Sequence, residues 1–282
     1  MNYYFKISNI KIKILSEFEI HWNTYIQKFI SLPFEDYDEY YECRWSDTLS
    51  PSGNPIYSYN SQIVFINGEY EDRLHFFLGQ KRPCMLYSER KDKKIIYVDT
   101  YYRKEILEEN NYCIFNALAF EKVLLKHDAI VLHSSFIIWK AQAILFTAPS
   151  GTGKSTQACL WETYQNAVIV NGDRTILRSE DGQIYAYGMP ICGSSNICLN
   201  TKAPVRAIIY LEQNPENIVE TMDLKNKIKK LISETTINSY NRDSFDRSLK
   251  ILTDIAEQVD MYHFKCTKDS EAVDILAAKL EE

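Results

Sequence analysis

A chain of 282 residues, 45% hydrophobic and 25% charged, has the length of one large or two modest domains and the composition of a globular protein. Its formal net charge of −6 gives no general attraction to nucleic acid or to an anionic membrane surface. The N-terminus lacks a basic segment followed by an apolar stretch, and no apolar run is long enough to span a bilayer. The expected location is therefore the cytoplasm, with neither nucleic acid nor membrane as a partner.

In chain order, residues 1–102 contain short β-like runs at 4–7, 10–14, 63–66, 74–78 and 94–98, with period-two alternation clearest at Ile10, Ile12 and Ile14. Polar turns at 50–55 and Asn67-Gly68 separate them. The acidic, aromatic residues 34–42 read as a solvated loop ahead of a binding site. Together these predict a small β-rich N-terminal domain. Many of the 20 tyrosines lie before residue 113, which fits either half-wet sheet faces or a surface that recruits a peptide at a sheet edge. The seven cysteines show no C-x-x-C pair and no neighbouring histidine pattern, so reduced structural thiols are expected and a zinc site is not.

Residues 103–127 turn helical, with Ile106, Leu107, Ile114, Leu118, Val123 and Leu124 spaced to pack on a core and to join two domains. From residue 129 the pattern becomes α/β, with apolar strands at 129–132, 136–139, 143–147, 167–170, 175–177 and 207–211. Later, Phe245, Leu249, Leu252 and Ile255 form one helical stripe, 261–266 is a strand, and Ser270 caps a last helix through Leu280.

Residues 144–156 carry the chemistry. They read as a strand running into the phosphate-loop pattern G-x-x-x-x-G-K-[ST], with Ala148 at the first glycine position and Gly153, Lys154 and Ser155 completing it. Glycines at 151 and 153 allow backbone conformations closed to other residues, so successive N–H groups can converge on phosphate oxygens. Lys154 offers a mobile cation to the β- and γ-phosphates and Ser155 a hydroxyl to Mg²⁺, while a helix over 154–163 points its positive end at the same place. The bland alternative is an ordinary strand-to-helix turn with a solvated lysine. The strand before and the helix after favour nucleotide binding, with ATP or GTP held by Ser150, Gly151, Thr152, Gly153, Lys154, Ser155 and Thr156.

The segment from His133 through Ser155 resembles the HPr kinase/phosphorylase catalytic domain, whose relatives include phosphoenolpyruvate carboxykinase. The likeness is strongest to HPr-kinase-like proteins and peptide-tailoring kinases of bacterial gene clusters. A histidine opens a strand pair leading into the loop, an apolar strand then ends in Asn171-Gly172-Asp173-Arg174, and a later strand ends in Leu211-Glu212. The resemblance covers about residues 112–280. It implies an α/β, carboxykinase-like P-loop catalytic domain over 103–282, preceded by the β-rich domain over 1–102. It further implies that Asp173, one of a pair of aspartates, binds metal with Ser155 and accepts the proton of an attacking hydroxyl, and that His133 lies beside it. The second aspartate position is Gly172.

Independently, a carboxylate ending an apolar strand beside a phosphate loop stands where a Mg²⁺ ligand or general base is needed. Asp173 also fits a turn with Gly172 and a pair with Arg174, and a lone histidine at a strand start also fits a structural role. The family's glutamate and arginine signature falls on Pro190 and Cys192, which departs from HPr phosphorylation and its reversal. Gly193, Ser194, Ser195 and Asn196 read equally as a polar substrate loop or a tight turn, and Arg174 can bind phosphate oxygens. The resulting expectation is a Mg-ATP-dependent kinase using Asp173, His133 and Lys154, with a hydroxyl acceptor on a peptide, protein or small molecule. GTP in place of ATP and a homo-oligomer are compatible with it. The alternative is a nucleotide-binding sensor or peptide-binding module with little turnover. A carboxykinase-type activity is weaker, because no lysine and histidine constellation suggests a second catalytic metal.

Overall fold

The computed structural model describes all residues except 60, 91, 92, 110 and 111, and the side chains of the rest except 108, 109, 112 and 194. They form two compact units, Met1–Val123 and Leu124–Glu282.

The first unit is a mixed sheet in the order β1-β2-β3-β8-β7-β6-β5-β4, built from β1 (Asn2–Ile7), β2 (Ile10–Ser16), β3 (Glu39–Ser46), β4 (Asn54–Tyr59), β5 (Gln62–Asn67), β6 (Tyr70–Phe76), β7 (Pro83–Arg90) and β8 (Lys93–Asp99). A short helix, α1 (Thr24–Gln27), is capped by Asn23. The expected β runs fall on strands except at 77–78, where β6 has already ended at Phe76. The acidic stretch 34–42 does not end as a loop, because 39–42 belong to β3, hydrogen-bonded in parallel to β2 and β8 on its two sides. Pairing makes the carboxylates tolerable there: Glu39 meets Lys94 and Glu42 meets Arg44, while Tyr41 is fully buried and donates its hydroxyl to Leu118 O at 3.0 Å. The tyrosines are divided between core and surface. Tyr41 and Tyr87 are core residues, whereas Tyr57 and Tyr59 stack on the exposed edge strand β4.

The helical segment 103–127 is three pieces rather than one: a π-turn at Glu105–Glu109, α2 (Tyr112–Asn116) and α3 (Phe120–Lys126), with Ala119 at φ 50° between the last two. A residue in the left-handed region cannot continue a right-handed helix. The division at Val123 also places most of this segment with the first unit, so the expected boundary after residue 102 moves to 123.

The second unit contains β9 (Ala129–Trp139), β10 (Gln142–Thr147), α4 (Lys154–Gln165), β11 (Val168–Asn171), β12 (Arg174–Glu180), β13 (Gln183–Tyr187), β14 (Lys202–Gln213), β15 (Ile218–Thr221), α5 (Leu224–Glu234), α6 (Arg242–Gln258), β16 (Asp260–Cys266) and α7 (Ser270–Glu281). The strand order is β10-β9-β12-β13-β14-β16-β15, with β11 beside β9. Because β10 also pairs in parallel with β14, the path β10-β9-β12-β13-β14 closes on itself and leaves none of those five strands as a free edge. The runs 129–132 and 136–139 are one strand, since β9 pairs with β12 through its first half and with β10 and β11 through its second.

Period-two alternation along β10 sends Ile144 and Phe146 into a core with Ala158 and Trp161 of α4 and Leu276 of α7. Ala143 and Leu145 enter a second core with Leu231 of α5 and Leu252 and Ile255 of α6. Of the expected α6 stripe, Leu252 and Ile255 are buried, while Phe245 and Leu249 are half-buried beside it. The residue capping α7 is Asp269, whose carboxylate accepts from Ala272 N at 3.2 Å, so Ser270 is the first helical residue and not the cap. Asp269→Ala should therefore cost about 1 kcal/mol in urea unfolding, and Ser270→Ala only a few tenths of that.

Candidate functional site

The ends of β10 and β11 meet the middle of β9 at the phosphate loop. Thr147 closes β10 and its hydroxyl donates to His133 O of β9 at 2.9 Å, while Ser134 N donates to Asp173 O, just past β11, at 3.0 Å. Ala148 is fully buried in the core under α4, which explains the small side chain at the loop's first position. The chain then turns outward. Gly151 sits at φ 81° and Gly153 at φ 123°, and an added Cβ at Gly151 would meet nothing within 4 Å, so conformation and not space requires the glycine there.

Helix α4 starts directly at Lys154. Its cap, Gly153, offers no side-chain acceptor, whereas α5, α6 and α7 are capped by Asp223, Asn241 and Asp269. The first N–H groups of α4 thus face the loop's cavity without a capping side chain, and with the helix dipole behind them. Lys154 is buried and donates to Ala148 O at 2.7 Å and Pro149 O at 3.3 Å. Burial lowers its pKa, opposed by the charges of Glu234 and Asp173.

The acidic turn after β11 is organised by Asn171, which is fully buried. Its side-chain oxygen accepts from Asp173 N and Arg174 N, both at 2.9 Å, and its amide donates to Met189 O at 2.8 Å and Ile191 O at 3.0 Å. This Asx turn aims Asp173 at the loop. His133 Nε2 lies 3.4 Å from Asp173 Oδ1, and Arg174 Nε lies 3.3 Å from Oδ2. The His133 contact, then the charges of Arg174 and Lys154, hold the Asp173 carboxyl below the usual carboxylate range against the opposing effect of burial. The structural reading of Asp173 is present in the turn and the Arg174 pair, and Asp173 also lines one cavity with the phosphate loop.

A residue that sequence reasoning missed completes the group. Glu234, at the end of α5 and 8% exposed, places Oε2 3.6 Å from His133 Nδ1. His133 therefore stands between two carboxylates. The signal available was Asp223 followed by Leu224, Ile228, Leu231 and Ile232 at helical spacing, which marks α5 without showing that its last turn reaches His133.

The second family aspartate position, Gly172, has no vacant space beside it: a Cβ there would lie 2.3 Å from Ser195 Cβ. Residues Gly193–Ser195 form a single 3-10 turn with Asn196 at φ 56°. The Ser195 hydroxyl is engaged within it, donating to Cys192 O at 2.6 Å and accepting from Ile197 N at 3.3 Å. The tight-turn geometry is thus present, and Gly193, Ser194 and Asn196 follow the same backbone course. The turn nevertheless borders the candidate acid, because a Cβ on Gly193, at φ 53°, would lie 2.9 Å from Asp173 Cβ. Gly193→Ala is expected to displace the Asp173 side chain and to destabilise the fold by about 1–2 kcal/mol from backbone strain alone. Comparing urea unfolding with nucleotide turnover in this variant checks both effects.

His133, Ser150, Gly151, Gly153, Lys154, Ser155, Thr156, Gly172 and Asp173 line one cavity of about 290 Å³. Thr152 faces an adjoining cavity of about 450 Å³ that shares Ser150 and Gly151 with the first. Arg174 instead reaches Thr236, with Nη1 3.3 Å from Oγ1. No group of three His, Cys, Asp or Glu side chains suited to a metal ion occurs among the described residues. Mg²⁺ does not need one, since it keeps several waters and takes one or two protein ligands plus substrate phosphates. Ser155, exposed at the start of α4 with Oγ 3.3 Å from Gly172 O, and Asp173 fit that pattern.

No family model matches the chain, and no curated protein matches it. Among solved structures, the Hpr(Ser) kinase/phosphatase from Coxiella burnetii matches 54% of this chain and 99% of its own, at 14% identity and a TM-score of 0.31. At that identity and TM-score the likeness assigns neither residues nor an activity. No helix among the described residues is long and apolar enough to cross a membrane.

Proposed function

We propose that the second unit is a Mg-ATP-dependent phosphotransferase that moves the γ-phosphoryl group to a hydroxyl. The observation that carries this is the convergence of Lys154, Ser155, Asp173 and His133 on one cavity at an uncapped helix N-terminus. The loop amides of 150–156 and Lys154 would hold the β- and γ-phosphates, for which Lys154 must leave the carbonyls of Ala148 and Pro149. Mg²⁺, held by Ser155 and Asp173, would neutralise developing charge on the phosphates.

The acceptor oxygen bonds to the γ-phosphorus, the bond to the β–γ bridging oxygen breaks, and the hydroxyl proton passes to Asp173 directly or through a water. An acid with a depressed pKa is a weak base, which suits a loose transition state in which the proton leaves late. Positioning and electrostatics do most of the work. His133, fixed by Glu234 on its other nitrogen, keeps the Asp173 carboxylate ionised and aimed.

The candidate acceptors are hydroxyls on a peptide, a protein or a small molecule. Incubating the full chain with γ-labelled ATP, Mg²⁺ and separate panels of hydroxyl-bearing peptides and metabolites should yield an acid-stable or ester-linked phosphate on one panel. Tight ATP binding with transfer to neither panel and no hydrolysis would favour a nucleotide sensor.

A further inference from the structure

The cavity of about 450 Å³ that adjoins the phosphate cavity has a different character from it. Beyond the loop residues, its walls are Tyr210, Glu212 and Gln213 at the end of β14 and Lys230 on α5. Neither His133 nor Asp173 lines it, so an acceptor hydroxyl placed there would lie away from the carboxylate proposed to take its proton.

Three parallel strands, β10, β14 and β16, end on this side, and in such sheets ligands gather outside the carboxyl ends of the strands. Glu212 occupies that end position on β14, with its side chain 52% exposed and Oε2 held 2.9 Å from His263 Nε2. Next to it, Gln213 donates to Gly151 O at 3.3 Å and Thr152 O at 3.0 Å, tying the strand end to the phosphate loop. Lys230, also lining the cavity, lies with its ammonium 3.9 Å from the centre of the Tyr210 ring. Because the two cavities share Ser150 and Gly151, one molecule with a chain of phosphates can enter both.

We infer that this second cavity takes the ribose of the nucleotide whose phosphates lie in the first, with the Glu212 carboxylate accepting from the ribose hydroxyls. An acidic residue near a phosphate-binding strand end commonly has that role, because a fixed carboxylate bonds well to a diol. The assignment rests on the phosphotransferase reading of the adjoining site.

Titration calorimetry on the full chain, wild type and Glu212→Ala, with Mg²⁺ and ATP, 2′,3′-dideoxy-ATP or tripolyphosphate separates the possibilities. The exposed position of Glu212 makes folding of the variant an expected control, checked by circular dichroism. Wild type should prefer ATP to the dideoxy analogue by roughly ten-fold, the effect of hydrogen bonds to a charged group. Glu212→Ala should lose that preference by weakening ATP alone, and tripolyphosphate should not be weakened. Retention of the wild-type preference by Glu212→Ala would overturn the ribose assignment while leaving the phosphate site standing. Failure of wild type to bind any of the three would overturn the phosphate site and the ribose assignment with it.

Discussion

Lys154→Ala is expected to weaken Mg-ATP binding by roughly 100-fold, the loss of a charge-assisted contact to phosphate in a site with little competing water. The fold should survive. The substitution removes two hydrogen bonds from the ammonium to the loop carbonyls of Ala148 and Pro149 but also removes the cost of burying that charge, so the stability change should stay about 1 kcal/mol. Calorimetric titration, with urea unfolding on the same sample, separates affinity from folding. Unchanged affinity in a folded variant would remove the lysine from the phosphate site.

Asp173→Asn is expected to behave differently, lowering transfer by roughly 10²–10⁴-fold while most nucleotide affinity remains in the loop and Lys154. The amide keeps the shape of the turn, because Asn171 bonds to the backbone of residue 173 and not to its side chain. What is lost is a proton acceptor and a negative charge opposite Mg²⁺. The same substitution carries a pH signature. The Asp173 carboxyl is held below the usual carboxylate range, so its ionic contribution to stability is complete above the unfolded pKa and is lost as pH falls through the lower folded one. Wild type and Asp173→Asn should therefore differ most in urea unfolding near neutral pH and converge in strong acid. Equal turnover by the two proteins at neutral pH would move the catalytic carboxylate elsewhere.

The parts of the site legible in the sequence are those set by local chemistry. The loop from Ala148 to Ser155 needs glycines at fixed offsets, and Asp173 follows an apolar strand by a spacing a reader can count. Glu234 was not legible because it is 101 residues from His133 in the chain, and only the docking of α5 on β9 brings the two together. The turn at 193–195 was ambiguous for a related reason: its proximity to Gly172 and Asp173 depends on Asn171 gripping Met189 and Ile191. In the fold, strands with clean alternation such as Ile10–Ser16 were evident, whereas β3 was hidden by acidic residues whose partners, Lys94 and Arg44, neutralise them only after folding. Helical spacing across 103–127 overrode a break that shows only in the backbone of Ala119. Asp269 and Ser270 are both good caps, and side-by-side candidates cannot be ranked without the geometry of the first turn.

The proposed site sets nucleotide phosphates against the amides of residues 150–156 with Asp173 beside them. Hydrogen-exchange mass spectrometry of the full chain, with and without saturating Mg-ATP, tests it most directly, because the uncapped amides at the start of α4 gain acceptors only when phosphate binds. The expected result is slowed exchange in peptides covering 148–157 and 171–174, with peptides from the sheet of Met1–Val123 unchanged. Nucleotide-dependent protection located elsewhere, with exchange at 148–157 unaltered, would contradict it.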